Sequence, residues 1–259
     1  MNLARILVIA SNVFREVIRD RVLYVIGFFA IALITASVLL PEVSGGSGNK
    51  IILDVGLAAI SLLGLAIAVF IGTGLVNKEI EKRTVYVMIA KPINRAEFIV
   101  GKHWGLSAVL AVLVSAMIAI YLGVLTAKQI TYPLDSILLA ALFQFLELSL
   151  ITAIAILFGV FTNSLLAMFL TVAVYLMGHL SRDLLSLGNL AKDSSLQPVT
   201  QALYLILPDL SRLDLKNQAI YGMSLLPSPL ELAGNAAYGL IYTALVLAIA
   251  ILIFSRRQF

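Results

Sequence analysis

The sequence predicts an all-α integral membrane protein with six transmembrane helices. Three observations carry that expectation. Of the 259 residues, 61% are hydrophobic and only 12% charged, about half the charged share of a soluble domain, so the chain cannot cover itself in water. The apolar residues gather in stretches that meet or approach the ~20 residues a helix needs to cross a hydrocarbon core. Lys and Arg cluster beside those stretches, which fits membrane topology better than a nucleic-acid partner.

Residues 1–21 read as an amphipathic interfacial helix. Leu3, Ile6, Leu7, Ala10, Val13, Phe14, Val17 and Ile18 recur at helical spacing, and Arg5, Asn12, Arg15, Glu16 and Arg19 take the other face. Arg15, Glu16, Arg19 and Asp20 interrupt the apolar run too early for a cleaved signal. The helix is therefore expected in the headgroup layer. An ordinary cytoplasmic extension of the first span is the plainer alternative.

The spans are expected at 22–40, 51–76, 104–126, 137–161, 165–180 and in a last stretch ending at Phe254, the fifth being the shortest. Gly45, Gly46, Ser47, Gly48, Asn49 and Lys50 read as a turn on the outer side. With the N-terminus inside, the cytoplasmic segments hold Arg5, Arg15, Arg19, Arg21, Lys78, Lys82, Arg83, Lys91, Arg95, Lys102, Arg256 and Arg257. The other side holds half as many, mostly dispersed: Lys50, Lys128, Arg182, Lys192, Arg212 and Lys216. That bias sets both termini in the cytoplasm.

Between the second and third spans lies a charged bracket, 77–103. The second span continues as helix past Val76 until Lys91 and Pro92 stop it, because proline disfavours helix at the preceding residue and has no N–H. Asn94 then reads as an N-cap with Glu97 as its capping-box acid, so a new helix starts at Arg95. The product is helix, sharp turn, helix, projecting into the cytoplasm with Val85, Val87, Met88 and Ile89 at its tip. An apolar tip with charged flanks suits a soluble partner; a solvated positive-inside anchor is the plainer alternative.

Glu79-Ile80-Glu81-Lys82-Arg83-Thr84, then Met88-Ile89-Ala90-Lys91-Pro92-Ile93-Asn94-Arg95 and Phe98-Ile99-Val100-Gly101-Lys102, resembles the cytoplasmic loop of type-2 ABC exporter permeases. In that family the second span ends in an E-x-E-x-G-T-like stretch, and a short coupling helix and a P-x-x-R…G-K stretch lead into the third. Arg83 stands where glycine is usual. The six-span order, the N-terminal helix and the long outer loop resemble the family too, including permeases of the nitrous-oxide-reductase maturation type. The resemblance implies one permease domain over 1–259, in the inner or plasma membrane, working as a dimer with a second copy or homologue. Each loop would sit on a separate ABC ATPase subunit, which binds the ATP and Mg. It puts ATPase coupling on Glu79, Glu81, Lys82, Arg83, Thr84, Met88, Pro92 and Arg95. Lipids, polysaccharides, peptides, drugs and metal-maturation factors are all carried or served within the family.

The chain's own chemistry agrees that a motor lies elsewhere. Gly101-Lys102-His103 lacks both the upstream glycine and the downstream Ser or Thr of a phosphate-binding loop. No G-x-S-x-G or H-E-x-x-H motif occurs, there is no Cys, and His103 and His179 are too far apart for a local metal motif. The chain is not expected to be an enzyme or to hold a cofactor.

Glu147 falls mid-span with Gln144 on the same face. An acid at that depth costs several kcal/mol facing lipid, so it either lines a translocation path or hydrogen-bonds between helices. Gly64, Ala68 and Gly72 form a small-residue stripe that lets helices approach, most safely read as packing within one chain. Thr162, Asn163 and Ser164 make a tight cytoplasmic turn with a helix cap, a second ATPase contact by the resemblance. The outer loop, 181–228, contains an apolar run at 203–207 too short to span; it lies on the interface or dips in and returns. Outer re-entrant helices are implied by the resemblance. Ser228, Pro229 and Glu231 then start the last helix. Two other functions fit the same spans: an anchor relaying ATPase motion to an outer protein, and an ion-coupled secondary transporter using Glu147.

Overall fold

The computed structural model describes residues 2–43, 48–81, 94–183, 186 and 196–256, and every regular element among them is helical. Asn2 caps α1 (Leu3–Val17), and one π-helical turn at Ile18–Val22 carries the backbone into α2 (Leu23–Val43). Then come α3 (Gly48–Glu81), α4 (Arg95–Ala127), α5 (Leu134–Phe161) and the short α6 (Ser164–His179). The segment before the last helix holds α7 (Leu196–Ile206), a 3₁₀ turn at Leu210–Arg212, the single turn α8 (Lys216–Ala219) and a second 3₁₀ turn at Met223–Leu225. α9 (Pro229–Arg256) ends the described chain. Five helices, α2 to α5 and α9, are long and apolar enough to cross a membrane; α6 is apolar but has only 16 residues.

The helix starts follow from local chemistry. The Asn94 side chain accepts from the Ala96 amide at 3.2 Å and Glu97 accepts from the Asn94 amide at 3.2 Å, a reciprocal cap that satisfies donors α4 would otherwise orphan. Asn163 accepts from the Leu166 amide at 2.8 Å to start α6. Ser228 and Glu231 exchange the same pair of bonds at α9, at 2.9 and 3.4 Å. One expectation is corrected: Gly48, Asn49 and Lys50 form the first turn of α3, not a turn between spans. From there the Lys50 ammonium reaches over the Tyr221 ring, 5.8 Å from its centroid, so a cation–π contact favours the helical start. The apolar tip at Val85, Val87, Met88 and Ile89 lies outside the described residues.

α5 runs through the middle of the bundle, packed against α3, α4, α6 and α9. Its Leu148, Leu150, Ile151, Ala153 and Ala155 are fully buried. The small-residue stripe of α3 faces it. A Cβ on Gly64 would stand 2.6 Å from Leu148 Cδ1, and one on Gly72 2.9 Å from Ala155 Cβ. The stripe thus lets two backbones approach within this chain. The reverse holds at the periphery, where α2 exposes Tyr24, Phe28 and Ile31, an apolar surface suited to lipid.

Candidate functional site

Two polar assemblies stand out in this apolar bundle. The first ties together the helix ends that flank residues 82–93. Glu79 in the last turn of α3 pairs with Lys102 of α4, whose ammonium also lies 5.4 Å from the Phe98 ring centroid. Arg95 reaches across to the C-terminal end of α9, donating to the carbonyl of Phe254 at 3.2 Å and to that of Ser255. A guanidinium there complements the negative end of the helix dipole. Glu97, 3% exposed, accepts from the Asn2 amide at 2.7 Å and pairs with Arg5 at 3.8 Å, which fastens the start of α1.

α1 is held there by shape as well. A Cβ on Gly105 would stand 2.7 Å from the Ala10 carbonyl oxygen, and one on Gly101 2.8 Å from Ile9 Cβ. Only glycine lets α1 cross α4 so closely. Ile6, Val13 and Val17 are buried in this contact, while Leu3, Leu7 and Val8 stay exposed. On the facing side Asn77 of α3 donates to the Thr162 carbonyl at 2.8 Å, linking the 162–163 turn to the same assembly. The start of α1, the end of α3, the start of α4 and the end of α9 therefore meet through Glu79, Lys102, Arg95 and Glu97.

Of the residues expected to couple, Glu79 and Arg95 are in this assembly and Glu81 closes α3. Lys82, Arg83, Thr84, Met88 and Pro92 lie outside the described residues.

The second assembly surrounds Glu147, whose side chain is fully buried. Its Oε1 lies 3.4 Å from His179 Nε2, at the C-terminal end of α6. That nitrogen is also 3.6 Å from Asp214 Oδ2, and Lys216 Nζ pairs with the same Asp214 oxygen at 2.6 Å. His179 Nδ1 contacts the Tyr175 carbonyl at 3.1 Å, and a carbonyl only accepts, so Nδ1 carries a hydrogen. Nε2 then faces two carboxyl groups, those of Glu147 and Asp214. The Tyr175 ring lies tilted by 52° against the imidazole, with centroids 4.5 Å apart. Among the described residues neither Glu147 oxygen has a hydrogen-bond donor in bonding geometry, nor does Gln144 Nε2 have an acceptor.

This chain of groups leads out of the bundle into the outer loop. Burial pushes the Asp214 carboxyl up, but neighbouring His179 and the Lys216 ammonium outweigh that and hold it down to about 2. The loop is seated by Leu210, Leu213, Leu215 and Ala219, all buried, and by Ser136 of α5, whose hydroxyl donates to the Ala219 carbonyl at 2.8 Å. Asp209 pins its start, accepting from Arg182 at 2.9 Å, Arg212 at 3.0 Å and Ser211 at 2.5 Å.

Glu147 and Gln144 are thus buried together as their spacing predicts. His179, Asp214 and Lys216 were not singled out as site residues. For His179 a signal existed. Counted from the 162–163 turn, Glu147 and His179 both lie roughly 21–23 Å along their helices at ~1.5 Å per residue, so they share a depth. Asp214 and Lys216 carried no such signal, because a loop has no fixed rise. Among the described residues no group of His, Asp and Glu is arranged to hold a metal ion.

A helical bundle with apolar flanks and these inner ties defines a multi-pass membrane protein. The chain matches the family model described as ABC-2 family transporter protein over residues 7–259 and belongs to that family. It is an ABC transporter permease, the membrane component and not a catalytic one. No curated relative matches the chain.

Proposed function

We propose that this permease is the translocating subunit of an ATP-driven exporter, coupled through residues 77–103 to a separate ATPase. It works as a dimer in the cell membrane, with both ends of the chain cytoplasmic and ATP and Mg bound by the partner. α6 serves as the remaining span, short because the outer half of its layer is filled by the 208–219 segment, which dips in and returns. α1 lies at the inner interface.

The observation that carries this reading is the inner assembly. A push on residues 82–93 enters through α3 and α4, the two helices joined by Glu79 and Lys102. Arg95 passes it to α9, and Glu97 passes it to α1. A solvated anchor needs none of these ties; a lever needs them all. Within the bundle, Gln144 and Glu147 line the path, and the seated outer segment closes it. When ATP binding draws two ATPase subunits together, the spans move, the contact of His179 and Lys216 with Glu147 and Asp214 gives way, and the outer side opens.

The test is affinity purification of the chain from its native membrane in mild detergent. The proposal expects a co-purifying nucleotide-hydrolysing subunit whose ATPase rate changes when Glu79 is replaced by Gln. Recovery of the permease with no such subunit, and transport that follows a proton or sodium gradient instead, would overturn it.

A further inference from the structure

A groove runs along the outside of the bundle between α4 and α5. Its inner stretch, about 560 Å³, is walled by four elements, with Leu7 of α1, Trp104 of α4, Ser149 of α5 and Leu247 of α9 among its lining. Its outer stretch, about 470 Å³, is lined by residues such as Ala111, Ser115, Ala119 and Leu142. The two stretches share Phe145. On α4 the lining runs from His103 to Leu122, roughly 28 Å at ~1.5 Å per residue, most of a ~30 Å hydrocarbon core, so an acyl chain of one leaflet fills its inner part.

We infer that this groove is a resident lipid site, which takes one acyl chain of an inner-leaflet phospholipid with its glycerol ester region under α1. The inference rests on the reading of α1 as an interfacial helix. A groove open to hydrocarbon holds neither vacuum nor water: a void forfeits contacts on every wall, and an apolar lining offers water no partners. What fills it is the apolar chain at hand. α1 crosses α4 at Gly101 and Gly105, so His103, between them, stands at the headgroup boundary where ester carbonyls lie.

The polar groups of the groove collect at that level. His103, 4% exposed, contacts the Ser149 carbonyl through Nε2 at 3.0 Å, and Ser107 and Ser149 hydroxyls meet at 3.3 Å. His103 Nδ1 has no hydrogen-bond partner among the described residues. Further out the walls are Ala, Val, Ile, Leu and Phe with Ser115 as the one polar side chain, against His103, Ser107, Ser149 and Thr243 in the inner stretch, matching a molecule that is polar at one end and hydrocarbon beyond. The roof formed by α1 distinguishes this lipid from those that merely surround the protein.

Trp104 is the single tryptophan of the chain and stands on the rim, which makes it the reporter. The protein, purified in detergent and stripped of lipid, is titrated with a phosphatidylcholine whose acyl chains carry bromine, a contact quencher of indole; the unbrominated lipid serves as control. The inference expects quenching that saturates near one lipid per chain. It expects Ala111→Phe or Ala119→Phe, which fill the open groove without entering the core, to raise the lipid needed for half-quenching about tenfold. Quenching that grows in proportion to brominated lipid without a plateau, or identical curves in the filled variants, would overturn it. Should those variants fail to fold, native mass spectrometry of the wild type decides: one retained phospholipid per chain supports the site, and none refutes it. Detergent solution has no sidedness, so failure here leaves the coupling reading intact, and failure of the coupling reading leaves this titration unchanged.

Discussion

Glu147 on α5 and His179 at the end of α6 stand 3.4 Å apart in the middle of the bundle, and His179 is the link between that buried acid and the outer-loop pair Asp214 and Lys216. One contact thus joins the core of the permease to the 208–219 segment.

Removing one partner of a buried polar contact leaves the other uncompensated, at a cost of about 1–3 kcal/mol. His179→Leu alone is therefore expected to lower the thermal unfolding temperature of the purified protein sharply. Adding Glu147→Leu restores most of the loss, because two apolar side chains need no partner. Losses that simply add would mean that the two residues do not act as a pair.

Lys102→Met should separate stability from coupling. Its partner Glu79 is 30% exposed, so water takes up the freed carboxylate and the fold loses on the order of 1 kcal/mol. ATPase stimulation by the permease, measured on the reconstituted complex, is expected to fall about tenfold. Normal stimulation would show that the tie between α3 and α4 carries no signal.

Gly105→Ala places a methyl group 2.7 Å from the Ala10 carbonyl oxygen and from Val13 Cβ, both fixed parts of α1. Overpacking of this kind costs about 1–3 kcal/mol, which α1 relieves by moving off α4. Limited proteolysis should then cut within 1–17 faster than in the wild type, with the rest of the chain unaffected. Gly123, where a Cβ meets nothing within 4 Å, provides the control substitution.

Asp209 supplies a pH dependence. Burial pushes its carboxyl up, but Ser211, Arg182 and Arg212 outweigh burial and hold it below the ordinary carboxylate value. A depressed folded value stabilises above the unfolded pKa of ~3.9 and is lost as pH falls through the lower folded one. Hydrogen exchange in the 208–213 turn should therefore keep this contribution down to an outer pH of about 4 and lose it below. Asp209→Asn should weaken the turn by about 1–2 kcal/mol at neutral pH, since both arginines are partly exposed.

Helix starts were the most legible part of this chain, because Asn94 with Glu97, Asn163, and Ser228 with Glu231 are local signals that the fold obeys. The Gly64–Ala68–Gly72 stripe was legible as close packing, and α5 supplies the partner. Of the turn expected at 45–50, Gly48, Asn49 and Lys50 are instead helical, with Lys50 over the ring of the distant Tyr221, a contact no local pattern shows, and 45–47 lie outside the described residues. For the site, Glu147 announced itself by its depth, and His179 shares that depth across the 162–163 turn. Asp214 and Lys216 read as ordinary loop charges, and only the folding-in of the 208–219 segment brings them to His179.

The measurement that bears most directly on the account uses the absence of cysteine from the sequence. A single Met88→Cys permease, co-expressed with its ATPase, is treated with a membrane-impermeant thiol reagent in oriented vesicles. The account predicts labelling only when the cytoplasmic face is outward, and protection when the ATPase subunit is bound. Labelling from the opposite face, or labelling indifferent to the ATPase, would contradict it.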